Sequence, residues 1–168
     1  MVDPVTAADS ATSVVASIVV DAPIEHAFRV FTEDMTAWWP REHHIGAVPM
    51  AAAVLEPRIG GRWYELGDDG SDCQWGIVLA WDPPHHVALS WHLDGDFRYD
   101  PDALSSSRVD VRFRSEGPGS TRVELTHSEL DRHGPSWQRL RGSVGGPGGW
   151  STILARFGDR ARAKPLDR

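Results

Sequence analysis

Four tryptophans and one histidine carry most of the chemistry this chain can offer. An indole is a large apolar ring with a single N–H donor, so a buried one needs an acceptor. Trp39, Trp75, Trp91 and Trp150 have two readings: core filling, or the wall of an aromatic-lined small-molecule site. Eight Trp in 168 residues is unusually many, which keeps the second reading in play. Trp91 shares parity with Val87 and Leu89 and should face their side of a strand. His127 shares parity with Val123 and Leu125, so it faces inward if they do. An inward imidazole is either a core group held by a hydrogen bond, or a polar anchor or acid/base group for a ligand. A catalytic role needs a partner. Glu65 and Glu56 are the candidate carboxylates, although no spacing in the sequence brings either to His127.

Other constellations carry less. His43-His44 and His85-His86 suggest metal, but neighbours on extended chain point to opposite sides and no Cys-x-x-Cys or His-x-Glu accompanies them. No metal or other cofactor is expected. Asp68, Asp69 and Asp72 surround a turn and lack the Glu of an EF-hand. Gly145 to Gly149 lacks the Lys-Ser/Thr of a phosphate loop. It reads as a segment that lets a following helix swing or pack closely. No Gly-x-Ser-x-Gly occurs. Cys73 has no neighbouring cue for activation.

The elements that must position these groups follow from periodicity. Trp150, Ile153, Leu154 and Phe157 fall at i, i+3, i+4 and i+7, with Ala161 one turn on. That is the apolar stripe of an amphipathic helix, predicted from about residue 147 to about 163. Val14 to Val20 is β-branched and reads as a strand. Asp21-Ala22-Pro23 opens a helix with Ile24, Ala27, Phe28 and Phe31 on one face. A second short helix over 35–40 ends at Pro40. Strands are predicted at 51–56, 62–66, 73–81 and 87–93, then around Val109–Phe113 and Arg122–His127. A polar loop spans 94–106. A short helix is expected at 135–141, before the Gly-rich stretch 142–149. Short connections favour an antiparallel meander, and its twist curves it. The stripe of the last helix needs that concave face.

Composition bounds the class. One domain is expected over 13–163, with loose ends at 1–12 and 164–168. A formal net charge of −7, with basic residues scattered, argues against nucleic acid as a partner. A lone Cys excludes an intrachain disulfide and favours a reducing compartment. No signal peptide or membrane span is evident, so a cytoplasmic location is expected.

Several pieces in order resemble one family: Asp21-Ala22-Pro23, Thr36-Ala37-Trp38-Trp39, Ile59-Gly60-Gly61-Arg62, Gly76-Ile77-Val78, Asp82-Pro83-Pro84, Ser90-Trp91, Leu125-Thr126-His127-Ser128 and Gly149-Trp150. Together they resemble the START/Bet v 1-like superfamily, and within it the bacterial branch named after the activator of Hsp90 ATPase homologue. The chain departs in its long 94–106 loop and its Gly-rich 142–149 stretch. The resemblance implies an α+β helix-grip fold, a curved antiparallel sheet of about seven strands around the C-terminal helix. It also implies a cavity between sheet and helix for an apolar ligand. The expected function is binding of a small apolar or aromatic molecule by Trp39, Trp75, Trp91, His127, Trp150, Ile153, Leu154 and Phe157. A cyclase/aromatase- or hydrolase-like enzyme using His127 is one alternative. A chaperone regulator or homodimer using the outer sheet face, with Trp75 or Ile77 exposed, is another.

Overall fold

The structure, a computed structural model, describes residues 11–162. Its elements in chain order are β1 Val14–Val20, α1 Ile24–Glu33, α2 Met35–Trp38, β2 Met50–Leu55, β3 Arg62–Gly67, β4 Asp72–Asp82 and β5 His86–Trp91. They continue with β6 Ser107–Gly117, β7 Ser120–Ser128, α3 Trp137–Val144 and α4 Trp150–Ala161. One antiparallel sheet runs β1-β7-β6-β5-β4-β3-β2 and curls into a half-barrel. This is the helix-grip α+β architecture. The expected ends at 1–12 and 164–168 lie, for residues 1–10 and 164–168, outside the described residues.

Alternation decides which face of the sheet is dry. Val109, Val111 and Phe113 pair across β6–β7 with His127, Leu125 and Val123, and all six are buried. A one-residue slip would turn the whole set to solvent, so this register is strongly specified. Helix α4 lays Trp150, Ile153, Leu154, Phe157 and Ala161 against the rest of the core, all buried. The Phe157 ring centroid stands 5.3 Å from Phe31 and 5.4 Å from Trp38. Gly158 lets the helix approach β1, since a Cβ there would sit 2.7 Å from Ile18 Cδ1. Arg156 Nε donates to the Trp38 carbonyl at 3.0 Å, and Arg160 pairs with Asp34.

Boundaries differ from the sequence reading in three places. Helix α4 begins at Trp150, not Pro147, because Gly149 sits at φ −91°, ψ −148° and ends the turn before it. The Gly149 Cα is so close to α3 that a Cβ would lie 1.9 Å from the Val144 carbonyl oxygen. The expected helix at 135–141 divides into a 3-10 segment Leu130–Ser136 and the α-helix Trp137–Val144. The polar 94–106 stretch contains a bridge from Leu93 to Tyr99 and a 3-10 turn Ala103–Ser105 capped by the Asp102 side chain.

Two substitutions check this packing by urea denaturation. Phe157→Ala should cost about 3–5 kcal/mol, the range for an emptied aromatic core site. Gly76→Ala should also destabilise, by about 1–3 kcal/mol or more, because its Cβ would meet the Ser90 carbonyl oxygen at 1.7 Å. Gly142→Ala, with nothing within 4 Å of its Cβ, should be neutral or stabilising by up to about 1 kcal/mol.

Candidate functional site: a tryptophan-walled cavity

A cavity of about 480 Å³ opens beside α4. That is the size range of small-molecule sites. Its floor is built from Trp39 at the end of α2, Trp75 on β4, Trp91 on β5, Leu93, Trp150 and Ile153, all buried. Glu42, His43, His44 and Ile45 form one side of the rim, and Ser143 and the glycines of 142–149 form the other.

The indoles form a contiguous cluster. Trp39 lies 4.9 Å from Trp75 and 5.9 Å from Trp150, and Trp91 lies 5.7 Å from Trp150, between ring centroids. Most pairs are edge-to-face, the arrangement aromatic quadrupoles favour. Trp63 on β3 closes the cluster at 5.4 Å from Trp75 and 5.8 Å from Trp91. Every N–H in this group has an acceptor. Trp39 donates to the His43 carbonyl at 3.1 Å, Trp63 to Met35 Sδ at 3.3 Å and Trp91 to the Leu93 carbonyl at 2.8 Å. Trp75 donates to Glu65 Oε1 at 3.0 Å, and Trp150 to His127 Nδ1 at 3.0 Å.

That last bond settles a tautomer. An indole N–H only donates, so His127 Nδ1 carries no proton and Nε2 does. Nε2–H then donates to Ser107 Oγ at 2.8 Å, and the Ser107 hydroxyl donates to His133 Nε2 at 2.7 Å. The chain Trp150–His127–Ser107–His133 therefore requires a neutral His127. Complete burial, and then the nearby His133, push its pKa down to about 3 from the ordinary 6.5. Burial likewise lowers His133. At neutral pH His127 is an oriented neutral base whose lone pair is already spent on Trp150.

Glu65, also buried, does a different job. Besides Trp75 it accepts from the backbone N–H of Ile45 at 2.5 Å and of Gly46 at 3.0 Å. It thus ties the rim loop to the cavity floor. Glu56 accepts from the Arg62 N–H at 2.8 Å, a turn-holding contact.

The predicted residues divide as follows. Trp39, Trp75, Trp91, Trp150 and Ile153 line the cavity. Leu154 and Phe157 are buried but belong to the core behind it. His127 stands behind the wall, its ring 5.0 Å from Trp91, and its hydrogen-bond partners are Trp150 and Ser107 rather than Glu65 or Glu56. His43 and His44 lie on a loop, and both line the rim. No group of three or more His, Cys, Asp or Glu among the described residues could hold a metal. Trp75 is buried and lines the cavity rather than the outer sheet face, Ile77 is half-buried, and Leu79 is 38% exposed.

The sequence reading missed Trp63 and the positioning role of Glu65. Their signal was there: on β3, Trp63, Glu65 and Gly67 alternate inward against Arg62, Tyr64 and Leu66. Ser107 and His133 carried none, since only the folded chain brings them to His127.

Comparison with known proteins agrees with this geometry. The family described as activator of Hsp90 ATPase homolog 1-like protein matches residues 21–159. An anthrahydroquino-γ-pyrone synthase, Txn09, solved in complex with SUM, is 41% identical, with 88% of this chain and 96% of that one aligned and a TM-score of 0.64. The self-sacrificing resistance protein CalC from Micromonospora echinospora is 32% identical over 94% of this chain and 98% of its own, with a TM-score of 0.67. An HSP90 activator from Plasmodium falciparum, at 20% identity over 79% of this chain and 86% of its own and a TM-score of 0.53, shares the fold. No curated protein matches. No helix among the described residues is long and apolar enough to cross a membrane.

The buried imidazole makes stability depend on pH. The unfolded chain protonates His127 near pH 6.5 and the folded chain only near 3. Stability is therefore full above 6.5 and falls as pH drops through that window, by about 1.4 kcal/mol per unit for one such group. His127→Gln should remove that slope in denaturant titrations between pH 7 and 5. An unchanged slope would mean His127 titrates normally.

Proposed function

From its membership of the activator of Hsp90 ATPase homolog 1-like family, to which this chain belongs, we propose that it binds a planar, fused-ring aromatic molecule in the cavity beside α4. The observation that carries this reading is the cavity itself: about 480 Å³ walled by four indoles, Trp39, Trp75, Trp91 and Trp150. Because protein acceptors already hold the N–H groups of these rings, what they offer a guest is mostly apolar ring surface. Burying about 300 Å² of ligand surface at about 25 cal/mol per Å² contributes roughly 7 kcal/mol before the costs of association. That suits a ligand of three or so fused rings. The 41%-identical synthase supports the choice, because its name carries an anthrahydroquinone.

That same relative favours a second reading, ring closure on such a scaffold. In this reading the indole walls exclude water and hold a flexible precursor near its cyclised shape. The rim histidines supply the polar groups.

Titration with 9,10-anthraquinone, followed by quenching of tryptophan fluorescence, tests the first reading. Saturable binding at micromolar concentration is expected. Ser143→Trp places an indole in the mouth from an exposed helix position and should abolish binding without loss of stability. Absence of quenching in the wild type would refute the reading. Incubation with a hydroxyaryl enone, followed by absorbance of the cyclised product, tests the second; binding without turnover would refute it.

A further inference from the structure

The cavity walls are apolar, but its rim carries one imidazole whose proton is fixed. His44 lines the cavity and its Nδ1 lies 2.9 Å from the Gly46 carbonyl oxygen. A carbonyl oxygen only accepts, so Nδ1 carries a proton and, in the neutral ring, Nε2 carries the lone pair. The loop that sets this arrangement is itself held. Gly46 and Ile45 each donate their N–H to the buried Glu65 carboxyl group, which also accepts from Trp75. The approach is close, since a Cβ on Gly46 would lie 3.1 Å from Glu65 Oε2. One carboxyl group thus sets both the cavity floor and the seat of His44.

His127, the first candidate for an acid/base group, has its lone pair committed to Trp150. His44 does not. The titratable groups around His44 are Glu42 and His43 on its own loop, Glu65 on β3, and the Cys73 thiol on β4 near Gly46. Across the cavity the lining from α3, α4 and the segment between them is Gly, Ser, Val, Pro, Trp and Ile, with no charge.

The geometry points to His44 as the group that takes a proton from the ligand, and to Glu65 as a positioning residue, so that the ligand class is a hydroxylated fused-ring aromatic bound as its phenolate. This rests on the cavity reading above and narrows it. The phenolic O–H bond breaks, its proton joins Nε2, and the electron pair stays on oxygen. The resulting imidazolium keeps its Nδ1–H on the Gly46 carbonyl, and the phenolate lies against Nε2–H as a charge-assisted hydrogen bond.

Two dyes separate this proposal from the reading beneath it. Alizarin has phenolic protons and absorbs at longer wavelength once one is lost; 9,10-anthraquinone has none. Wild-type protein should bind alizarin about tenfold or more tightly than anthraquinone, the size of one hydrogen bond to a charged group. It should show the bound phenolate spectrum at a pH where free alizarin is protonated. His44→Gln should lose the preference and the spectral shift while still binding anthraquinone. Glu65→Gln, which faces three N–H donors with an amide, should weaken the shift even where circular dichroism shows it folded. A persisting phenolate spectrum in His44→Gln, or its loss in His43→Gln instead, would overturn the proposal and leave the cavity reading standing. Binding of neither dye would overturn both.

Discussion

An indole can be buried cheaply only if its N–H finds an acceptor, and this chain buries six: Trp38, Trp39, Trp63, Trp75, Trp91 and Trp150. An unpaired N–H in a dry interior costs about 1–3 kcal/mol. Six such penalties would consume most of a typical domain's stability of about 5–15 kcal/mol. The structure meets each demand. Three use backbone carbonyls nearby in sequence, at Val30, His43 and Leu93. The others reach Met35 Sδ, Glu65 and His127. Two buried ionisable side chains that look anomalous in an apolar interior are thus explained as acceptors for tryptophan.

That constraint shapes the cavity. Trp75 and Trp150 are oriented by Glu65 and by the His127–Ser107–His133 chain, and Trp39 is oriented by the loop it bonds to. These bonds hold the rings in place, so the proposed flat ligand would meet preset faces with little ordering cost left to be met on binding. The two sides of the mouth differ in kind. The 41–46 side is pinned through Glu65 and carries the ionisable groups. The 142–149 side is mostly glycine, and at Gly149 no other residue fits against the Val144 carbonyl.

Much of this was legible in the chain. The alternation of Val123, Leu125 and His127 put an imidazole inside, and the stripe from Trp150 to Phe157 put a helix on the sheet. Parity and period are local, and burial follows from them directly. What the sequence could not show was pairing across distance. Glu65 lies 19 and 20 positions from the main-chain groups it holds, and Ser107 and His133 lie on opposite sides of His127 in sequence. Leu154 and Phe157, expected to line the cavity, are buried in the core and are not among its lining residues. A helical stripe spans about 100° or more, and only its Trp150–Ile153 edge faces the opening.

The proposed binding makes four particular indoles a ligand surface and leaves the others out of it. Each indole N–H gives its own peak in a proton–nitrogen correlation spectrum. On adding 9,10-anthraquinone, the peaks of Trp39, Trp75, Trp91 and Trp150 should shift together and saturate with one affinity, while Trp81 and Trp137, half-buried outside the cavity, stay in place. Shifts confined to Trp81 or Trp137, or none at any indole, would contradict the account.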